Sequence, residues 1–160
     1  MIYYIPTKIH FSKGNCLNEL ENVVKEYDAK KIFLVTGKNF VKKSGLSKHV
    51  LDKLKNYEVI IYDKVNPSPK YENVNVALAN AQTSNIELIV GIGGGSVLDT
   101  AKIVSVMFYS NDDILDYINK KVSINKKIPL IAIPTTAGTG SEVTPFAAFY
   151  YDKKKQSFGS

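Results

Sequence analysis

The sequence predicts an α/β fold in which a parallel sheet carries helices on both faces. Short apolar runs alternate with segments whose apolar residues recur at helical spacing, and this alternation is typical of parallel sheets. The runs are apolar throughout instead of alternating with polar residues, which indicates strands buried on both faces. The 160 residues, 44% hydrophobic and 22% charged, fit one globular domain.

The first predicted elements are a strand and a helix that precede the regular alternation. Residues 3–11 are rich in β-branched and aromatic side chains, so they predict an N-terminal strand, which a turn at residues 12–14 closes. Asn15 or Asn18 is expected to cap a helix that continues to about residue 27, because the apolar positions that follow share one helical face.

From residue 31 onward, predicted strands and helices alternate regularly. Continuous apolar runs predict strands at residues 32–35, 59–62, 86–92 and 130–133. The intervening segments have one apolar face and predict helices at residues 47–57, 71–83 and 96–109. Two prolines predict a rigid loop at residues 66–69, since proline fixes φ. The crossovers between parallel strands are expected to be right-handed.

The last part of the chain predicts a surface excursion and a hairpin. Residues 111–127 are polar, with one helical turn expected near residues 113–117. Residues 146–151 are apolar and aromatic and predict a hairpin strand, residues 152–156 predict its turn, and the return strand at residues 157–160 is expected to be cut short. Because no closing helix follows, the chain is expected to be a truncated form of a longer protein.

The composition excludes several classes of function. The net charge is +6, and all 21 basic residues are lysine. Lysine lacks the forked guanidinium with which arginine reads bases and clamps phosphates, so a solvated surface is expected and a nucleic-acid partner is not. The sequence contains no apolar run of about 18 residues, so no membrane span is expected. The lone Cys16 and the lack of a secretory leader favour a cytoplasmic protein.

The strongest local feature is a glycine-rich turn between a predicted buried strand and a predicted helix. Gly93, Gly94 and Gly95 leave the backbone bare, and Ser96 can cap the helix and offer a hydroxyl. Bare N–H groups at a helix start bind anions, which predicts a pyrophosphate site. The alternative is a tight turn with a helix cap. The usual dinucleotide fingerprint is incomplete because Ser96 stands at its third glycine, and the sequence has no Walker-type phosphate loop.

A second polar loop, residues 134–144, directly follows the fourth predicted strand. It contains two glycines and five hydroxyl side chains, those of Thr135, Thr136, Thr139, Ser141 and Thr144. Hydroxyls can donate to or accept from ribose, amide and adenine groups. Because the glycine turn is expected at the same sheet edge, this loop is predicted to line the same site, although a solvated loop is the alternative.

Asp99 lies one helical turn beyond the glycines. It is expected to hydrogen-bond a neutral part of a ligand or to organise the loop, and a favourable acid near a helix start is the alternative. Lys102 is spaced to pair with it. His10 and His49 are far apart in the sequence and Cys16 stands alone, so no metal site is expected in this chain.

Two motifs in this order resemble one family. The first is Gly93-Gly94-Gly95-Ser96 with Asp99, Ala101 and Lys102, and the second is residues 134–144. They are similar to the motifs of the iron-containing (group III) alcohol dehydrogenases, and residues 5–7 and 63–69 add to the similarity. The resemblance covers essentially the whole chain.

The resemblance implies a two-domain enzyme that interconverts alcohols and aldehydes or ketones by hydride transfer with NAD or NADP. It implies that residues 1–160 form the Rossmann-like dinucleotide-binding domain. In the family, a helical second domain, absent from this chain, holds a divalent metal, iron or zinc, through an aspartate and three histidines. The chain alone is therefore expected to be inactive.

The family's site residues can be matched to this sequence one by one. Gly94, Gly95 and Ser96, following Gly93, would hold the pyrophosphate, and Asp99 would lie near the nicotinamide and the substrate as the catalytic candidate. The path from adenine to nicotinamide would be lined by Thr135, Thr136, Thr139 and Thr144.

Cofactor preference is predicted from the end of the first parallel strand. NAD-preferring relatives often place an aspartate there, whereas this sequence has Gly37 followed by Lys38. The missing acid and the added cation predict NADP. Two departures affect finer cofactor contacts, since Ser68 stands where asparagine is common in the family and Ser157 stands where many relatives carry a lysine.

Two alternatives to this function stay open. One is a stand-alone nucleotide-binding or interaction module, and the other is a relative in the same superfamily, a glycerol dehydrogenase or dehydroquinate synthase. Truncation would also uncover an apolar face, which would favour self-association into a homo-oligomer.

Overall fold

The molecule is built on a parallel β-sheet. The computed structural model describes residues 7–11, 16–39 and 45–159. The strands are β1 (Lys31–Gly37), β2 (Glu58–Val65), β3 (Leu88–Gly93) and β4 (Leu130–Pro134). They lie side by side in the order β2-β1-β3-β4, and each neighbouring pair is parallel. The predicted parallel sheet is confirmed, but the expectation that its strands are buried on both faces was wrong for β2 and β4, which form the two edges of the sheet and are mostly only partly buried.

Helices cover both faces of this sheet, as predicted. They are α1 (Leu20–Lys25), α2 (Gly45–Lys53), α3 (Tyr71–Gln82), α4 (Gly95–Met107) and α5 (Ile114–Ile118), with a 3-10 turn at Cys16–Glu19. On β1, Phe33 and Val35 pack in the core cluster that contains α3 and α4, whereas Ile32 and Leu34 pack in the cluster that contains α1 and α2. All four side chains are fully buried, and each stabilises the fold by about 1.5–3 kcal/mol.

Two of the helices are shorter than their sequence patterns predict. Helix α2 ends at Lys53, and tighter turns follow, in which Lys55 N donates to Asp52 O and Tyr57 N donates to Leu54 O. Helix α1 begins at Leu20 with Glu19 in the capping position, and no side chain caps it. Asn18 therefore does not act as the predicted cap, and Asn15 lies outside the described residues.

The N-terminal strand predicted over residues 3–11 is not found where the structure describes it. Residues 7–11 form no strand, and Ile9 and Phe11 are 64% and 95% exposed. They have no sheet neighbour in the described part of the chain, so their β-forming residue types are not enough to make a strand. Residues 3–6 and the predicted turn at residues 12–14 lie outside the described residues.

The C-terminal hairpin is confirmed, but its return strand is longer than predicted. Strand β5 (Ala147–Tyr151) pairs antiparallel with β6 (Lys154–Phe158) along its whole length. The two turn residues, Asp152 and Lys153, both have positive φ, at 46° and 61°. This conformation suits a tight two-residue hairpin, in which Asn-Gly and Asp-Gly are the usual residues. The Asp-Lys pair does not carry that signal, so the expectation of a turn over residues 152–156 was wrong.

The described helices include none that is long and apolar enough to cross a membrane.

Glu87 ties the start of β1 to the segment before β3. One of its carboxylate oxygens accepts the N–H groups of Lys30 at 2.6 Å and Lys31 at 3.0 Å. These two hydrogen bonds stabilise the ionised form and lower the pKa of Glu87 below its ordinary value. The stabilisation is present above the unfolded-state pKa of about 4.3 and is lost as the pH falls through the lower folded-state pKa.

Replacing Glu87 with glutamine is therefore expected to lower the free energy of unfolding at pH 7. The difference from the unmodified chain should disappear once the pH is below the folded-state pKa of Glu87. Urea unfolding at a series of pH values measures this. Glu72→Gln, on exposed α3 surface, is the matched control, and an equal pH dependence in both variants would contradict the role of Glu87.

Candidate functional site

The two polar loops that the sequence singled out lie next to each other at one edge of the sheet. Gly93 ends β3 and pairs with Pro134 at the end of the neighbouring strand β4. The ladder continues beyond these residues, because Thr135 N donates to Gly93 O at 2.9 Å. Parallel strands place their carboxyl ends together, and this is where open α/β sheets bind ligands.

Gly93 allows helix α4 to start very close to β3. A Cβ atom built at Gly93 would lie 2.6 Å from Val97 Cγ2 and 2.7 Å from Val97 Cβ. Such distances are too short for any side chain, and the Cβ of Val97 cannot rotate away. The position therefore requires glycine because of close packing.

The first turn of α4 presents backbone N–H groups at this edge. Gly94 caps the helix in an extended conformation, and its carbonyl accepts the N–H groups of Val97 and Leu98 at 3.0 and 3.1 Å. The N–H groups of Gly95 and Ser96 belong to the first turn, where a helix offers no backbone acceptor. Gly94, Gly95 and Ser96 are partly exposed. These three residues, together with Gly93, form what we call the cradle.

Ser96 does not cap the helix, contrary to the expectation from sequence. The capping residue is Gly94, which makes no side-chain cap, so Ser96 already lies within the first turn. Its hydroxyl oxygen instead accepts the N–H of Ser68 at 3.2 Å. Ser68 has a φ of +54°, in the left-handed region, where asparagine is better tolerated than serine. The loop at residues 66–69 is thereby attached to the cradle.

The second polar loop, residues 134–144, forms one wall of the cradle, and we call it the threonine-rich loop. A Cβ atom at Gly94 would lie 3.1 Å from Thr136 Oγ1, and one at Gly95 would lie 3.2 Å from Thr139 Cγ2. Gly138 and Gly140, with φ of 92° and 66°, allow the loop to fold back here. The side chains of Thr135, Thr136, Thr139 and Thr144 are all exposed. The structure thus brings the two motifs into contact.

Gly37 lies at the same sheet edge, on the other side of β3. A Cβ atom built at Gly37 would lie 3.9 Å from Val97 Cγ2, the same methyl group that a Cβ atom at Gly93 would overlap. Gly37 is partly exposed, and Lys38 after it is exposed. The end of β1 is therefore adjacent to the cradle.

Asp99 and Lys102 form a largely, but not fully, buried ion pair beneath the threonine-rich loop. Lys102 Nζ lies 3.3 Å from Asp99 Oδ1, and the two side chains are only 14% and 15% exposed. The pairing expected from their spacing is confirmed. The other carboxylate oxygen of Asp99 accepts the N–H of Ala148 at 3.0 Å. Burial lowers the pKa of Lys102, although the Asp99 carboxylate acts in the opposite direction.

An open groove of about 430 Å³ runs between this ion pair and the hairpin. It is lined by Asp99, by Thr139, Ser141 and Thr144 from the loop, by residues 146–148, and by residues 155–157 of β6. The family resemblance pointed to Ser157, which lines this groove, but sequence reasoning missed the contact of Asp99 with Ala148, which joins residues 49 positions apart. No local pattern signals such a contact.

The described residues contain no group of three or more histidine, cysteine, aspartate and glutamate side chains that could hold a metal ion. His10 is exposed on residues 7–11, and His49 lies on α2, on the other side of the sheet from the hairpin. A metal centre is not built from the part of the chain that the structure describes.

Comparison with known proteins gives one consistent result. The family model of iron-containing alcohol dehydrogenases matches residues 6–160. Alcohol dehydrogenase 4 of Saccharomyces cerevisiae is 37% identical over 155 residues, which is 96% of this chain and 40% of that protein.

Solved structures agree with this result. The NADH-dependent butanol dehydrogenase A of Thermotoga maritima superposes with a TM-score of 0.91 at 30% identity, over 100% of this chain and 41% of its own. A sulfoacetaldehyde reductase from Bifidobacterium kashiwanohense, solved with NAD+, superposes with a TM-score of 0.89 at 30% identity, over 99% of this chain and 43% of its own. The chain thus spans about two-fifths of these relatives. With a family model that matches nearly all of its residues, the chain belongs to the iron-containing alcohol dehydrogenase family.

Proposed function

We propose that this chain is the dinucleotide-binding half of a metal-dependent alcohol dehydrogenase that interconverts alcohols and aldehydes or ketones by hydride transfer. The observation that carries the proposal is the cradle, in which the first N–H groups of α4 face a partly exposed gap beside the threonine-rich loop. Donors of this kind favour a diphosphate. We take residues 1–160 as one such domain.

The residues of the cradle fit a dinucleotide. At Gly94 a Cβ atom would fill the gap towards Thr136, so the glycine keeps the backbone accessible to a phosphate group. We assign the diphosphate to Gly94, Gly95 and Ser96. Among the described residues the Ser96 hydroxyl oxygen only accepts, from the N–H of Ser68, so its proton can be donated to a phosphate oxygen.

We assign the remaining predicted residues to successive parts of the bound dinucleotide, from the adenosine end to the nicotinamide end. The adenosine ribose is assigned to the end of β1 at Gly37 and Lys38. Ser68, which donates its N–H to Ser96, is assigned to the part next to the cradle. Thr135 and Thr136 line the next part. The groove between Thr144 and Asp99 is assigned to the nicotinamide, which when bound accepts or donates the hydride.

Metal chemistry is assigned to other parts of the full protein. The described residues offer no set of ligands for iron or zinc, so the proposal places no metal ligand among them. In this proposal the metal centre and most of the alcohol or aldehyde pocket belong to a further, helical domain. These 160 residues alone are then inactive.

We propose NADP as the preferred cofactor. Gly37 brings no carboxylate to the ribose 2′ position, and Lys38 brings a cation that favours a 2′-phosphate. The Thermotoga relative is described as NADH-dependent and the Bifidobacterium structure holds NAD+, so this preference would set the chain apart from both.

Replacing Gly37 with aspartate is expected to reverse the preference. The new Cβ atom would meet Val65 O at 3.8 Å and Val97 Cγ2 at 3.9 Å, which are ordinary contacts. The carboxylate would repel a 2′-phosphate and accept a ribose hydroxyl, so NADP affinity should fall about tenfold or more, equivalent to ~1.4 kcal/mol, while NAD affinity is kept or improved. Calorimetry with both cofactors measures this, and Gly37→Ala is the control. An unchanged ratio of affinities would contradict the assignment.

Calorimetric titration of the unmodified chain with NADP, NAD and ATP tests the proposed function itself. We expect both dinucleotides to bind more tightly than ATP, and NADP to bind most tightly. Tighter binding of ATP, or no binding of either dinucleotide, would favour a stand-alone nucleotide-binding module instead. An assay of NADPH-coupled aldehyde reduction with added iron or zinc completes the test, since turnover by the chain alone would contradict its assignment as the cofactor half.

A further inference from the structure

The ion pair between Asp99 and Lys102 also makes hydrogen bonds to residues outside helix α4. Asp99 Oδ1 pairs with Lys102 at 3.3 Å, while Asp99 Oδ2 accepts the N–H of Ala148 in β5 at 3.0 Å. Lys102 Nζ also donates to the carbonyls of Thr144, at 3.3 Å, and Phe146. Lys102 Nζ also donates to the Thr144 hydroxyl at 3.5 Å, so its hydrogen-bond acceptors all belong to Thr144 and Phe146, and Asp99 contributes the ion pair.

These contacts all hold one stretch of chain. Thr144, Phe146 and Ala148 belong to the segment of residues 144–148, which connects the threonine-rich loop to β5. The same segment lines the groove that is assigned to the nicotinamide. Asp99 and Lys102 on α4 thus hold residues 144–148, which line the groove, by contacts to the backbone of that segment.

We propose that Asp99 and Lys102 are positioning residues, which act as a clamp that holds residues 144–148 in place for the nicotinamide end of the cofactor. This proposal rests on the proposed function, because it concerns the groove assigned there. One oxygen of the Asp99 carboxylate accepts the Ala148 N–H, and the other makes only the ion-pair contact with Lys102, with no hydrogen bond of its own among the described residues. The carboxylate therefore shapes the groove through Ala148 and Lys102, without needing a direct contact to the cofactor.

The burial of the pair makes the clamp sensitive to the loss of either partner. Side chains that are about 15% exposed gain little solvation from water, so removing one charge takes away the ion-pair partner of the other. The Glu142 carboxylate is near enough to stabilise the Lys102 charge, and Lys102 would keep this acid if Asp99 were replaced by asparagine. Asp99→Asn also keeps an oxygen that can accept the Ala148 N–H.

A direct contact and a clamp predict different results for Lys102. If the Asp99 carboxylate itself touched the nicotinamide, Lys102→Met would leave that carboxylate in place and preserve most of the binding. If the pair acts as a clamp, Lys102→Met releases Thr144 and Phe146 and should weaken binding as strongly as Asp99→Ala does.

The experiment measures two quantities in the unmodified chain and in Asp99→Ala, Asp99→Asn and Lys102→Met. The first is the hydrogen exchange rate of the Ala148 amide. The second is the affinity for NAD and for ADP, which share the adenosine diphosphate half but differ in the nicotinamide half. Asp116→Ala is the matched control, because Asp116 pairs with Lys121 at 2.8 Å in an exposed ion pair on the surface.

We expect Asp99→Ala and Lys102→Met each to weaken NAD binding about tenfold or more, as for the loss of a hydrogen bond to a charged group. ADP affinity should stay within about twofold, which shows that the cradle is still folded. Ala148 exchange should accelerate about tenfold or more in Asp99→Ala and less in Asp99→Asn, and Asp116→Ala should change nothing.

Two results would overturn the clamp. One is NAD affinity that stays unchanged in Asp99→Ala although Ala148 exchanges faster, and the other is a loss of NAD affinity in Asp99→Ala with none in Lys102→Met. Failure of the proposed function looks different, because the unmodified chain would then bind neither NAD nor ADP. Equal losses of NAD and ADP affinity in every clamp variant would also contradict a role restricted to the nicotinamide end.

Discussion

Replacing Gly94 with valine is expected to weaken the binding of NADP and NAD about a hundredfold while the domain stays folded. Gly94 has φ of −78° and ψ of −176°, an extended conformation that valine adopts readily. Its Cβ atom, however, would lie 3.1 Å from Thr136 Oγ1 and 3.4 Å from Thr136 Cγ2. The methyl groups of valine would then occupy the space in which a phosphate approaches the first N–H groups of α4.

The expected size follows from the bonds that would be lost. Hydrogen bonds to a charged group contribute roughly 1.5–3 kcal/mol each, and ~2.7 kcal/mol corresponds to a hundredfold change in affinity. Calorimetry gives the affinities, and urea unfolding checks that the domain is folded. Gly45→Val is the control, since a Cβ at Gly45 would have no atom of the described residues within 4 Å. Unchanged dinucleotide affinity in a folded Gly94→Val variant would contradict the cradle as the diphosphate site.

Replacing Gly93 with alanine is expected to lower the free energy of unfolding by about 2–3 kcal/mol, near the upper end of what overpacking costs. The Cβ atom would overlap Val97 Cγ2 at 2.6 Å and Val97 Cβ at 2.7 Å. Because the second of these is fixed to the helix backbone, α4 would have to move away from β3. Gly37→Ala is a graded control, since its Cβ would meet only ordinary contacts, at 3.8 and 3.9 Å.

A double-mutant cycle with Val97→Ala identifies the cause of this destabilisation. Val97→Ala removes the two γ-methyl groups that would overlap, so the double variant should lose less stability than the sum of the single variants. Urea unfolding of the four chains measures the coupling. Additive losses would show that the γ-methyl groups of Val97 contribute nothing to the requirement for glycine at position 93, since the Cβ atom of residue 97 is present in all four chains.

The sheet could be predicted from sequence because its physical signal is local. Strands β1 and β3 are buried on both faces, so residues such as Phe33 and Leu34 are apolar in succession. The glycines after β3 and the threonines after β4 could also be placed together, since parallel neighbours end at the same edge. The pairing of Asp99 with Lys102 follows from helical spacing alone.

Other features depend on contacts that no local pattern encodes. Gly94 caps α4, and Ser96 lies within the first turn of the helix. The Ser96 hydroxyl accepts the N–H of Ser68, which belongs to a loop 28 residues earlier in the chain. The tight hairpin turn depends on positive φ at Asp152 and Lys153, and neither residue type indicates it. The contact of Asp99 with Ala148, which links helix to hairpin, exists only once the fold has formed.

The most direct test of the central claim is the chemical shift of the backbone amides on addition of NADP. If the cradle binds the diphosphate, the amide signals of Gly94, Gly95 and Ser96 should shift the most, and inorganic pyrophosphate should shift the same three signals in the same direction. Binding of NADP that leaves these three amides unchanged, with the largest shifts elsewhere in the described chain, would contradict the claim.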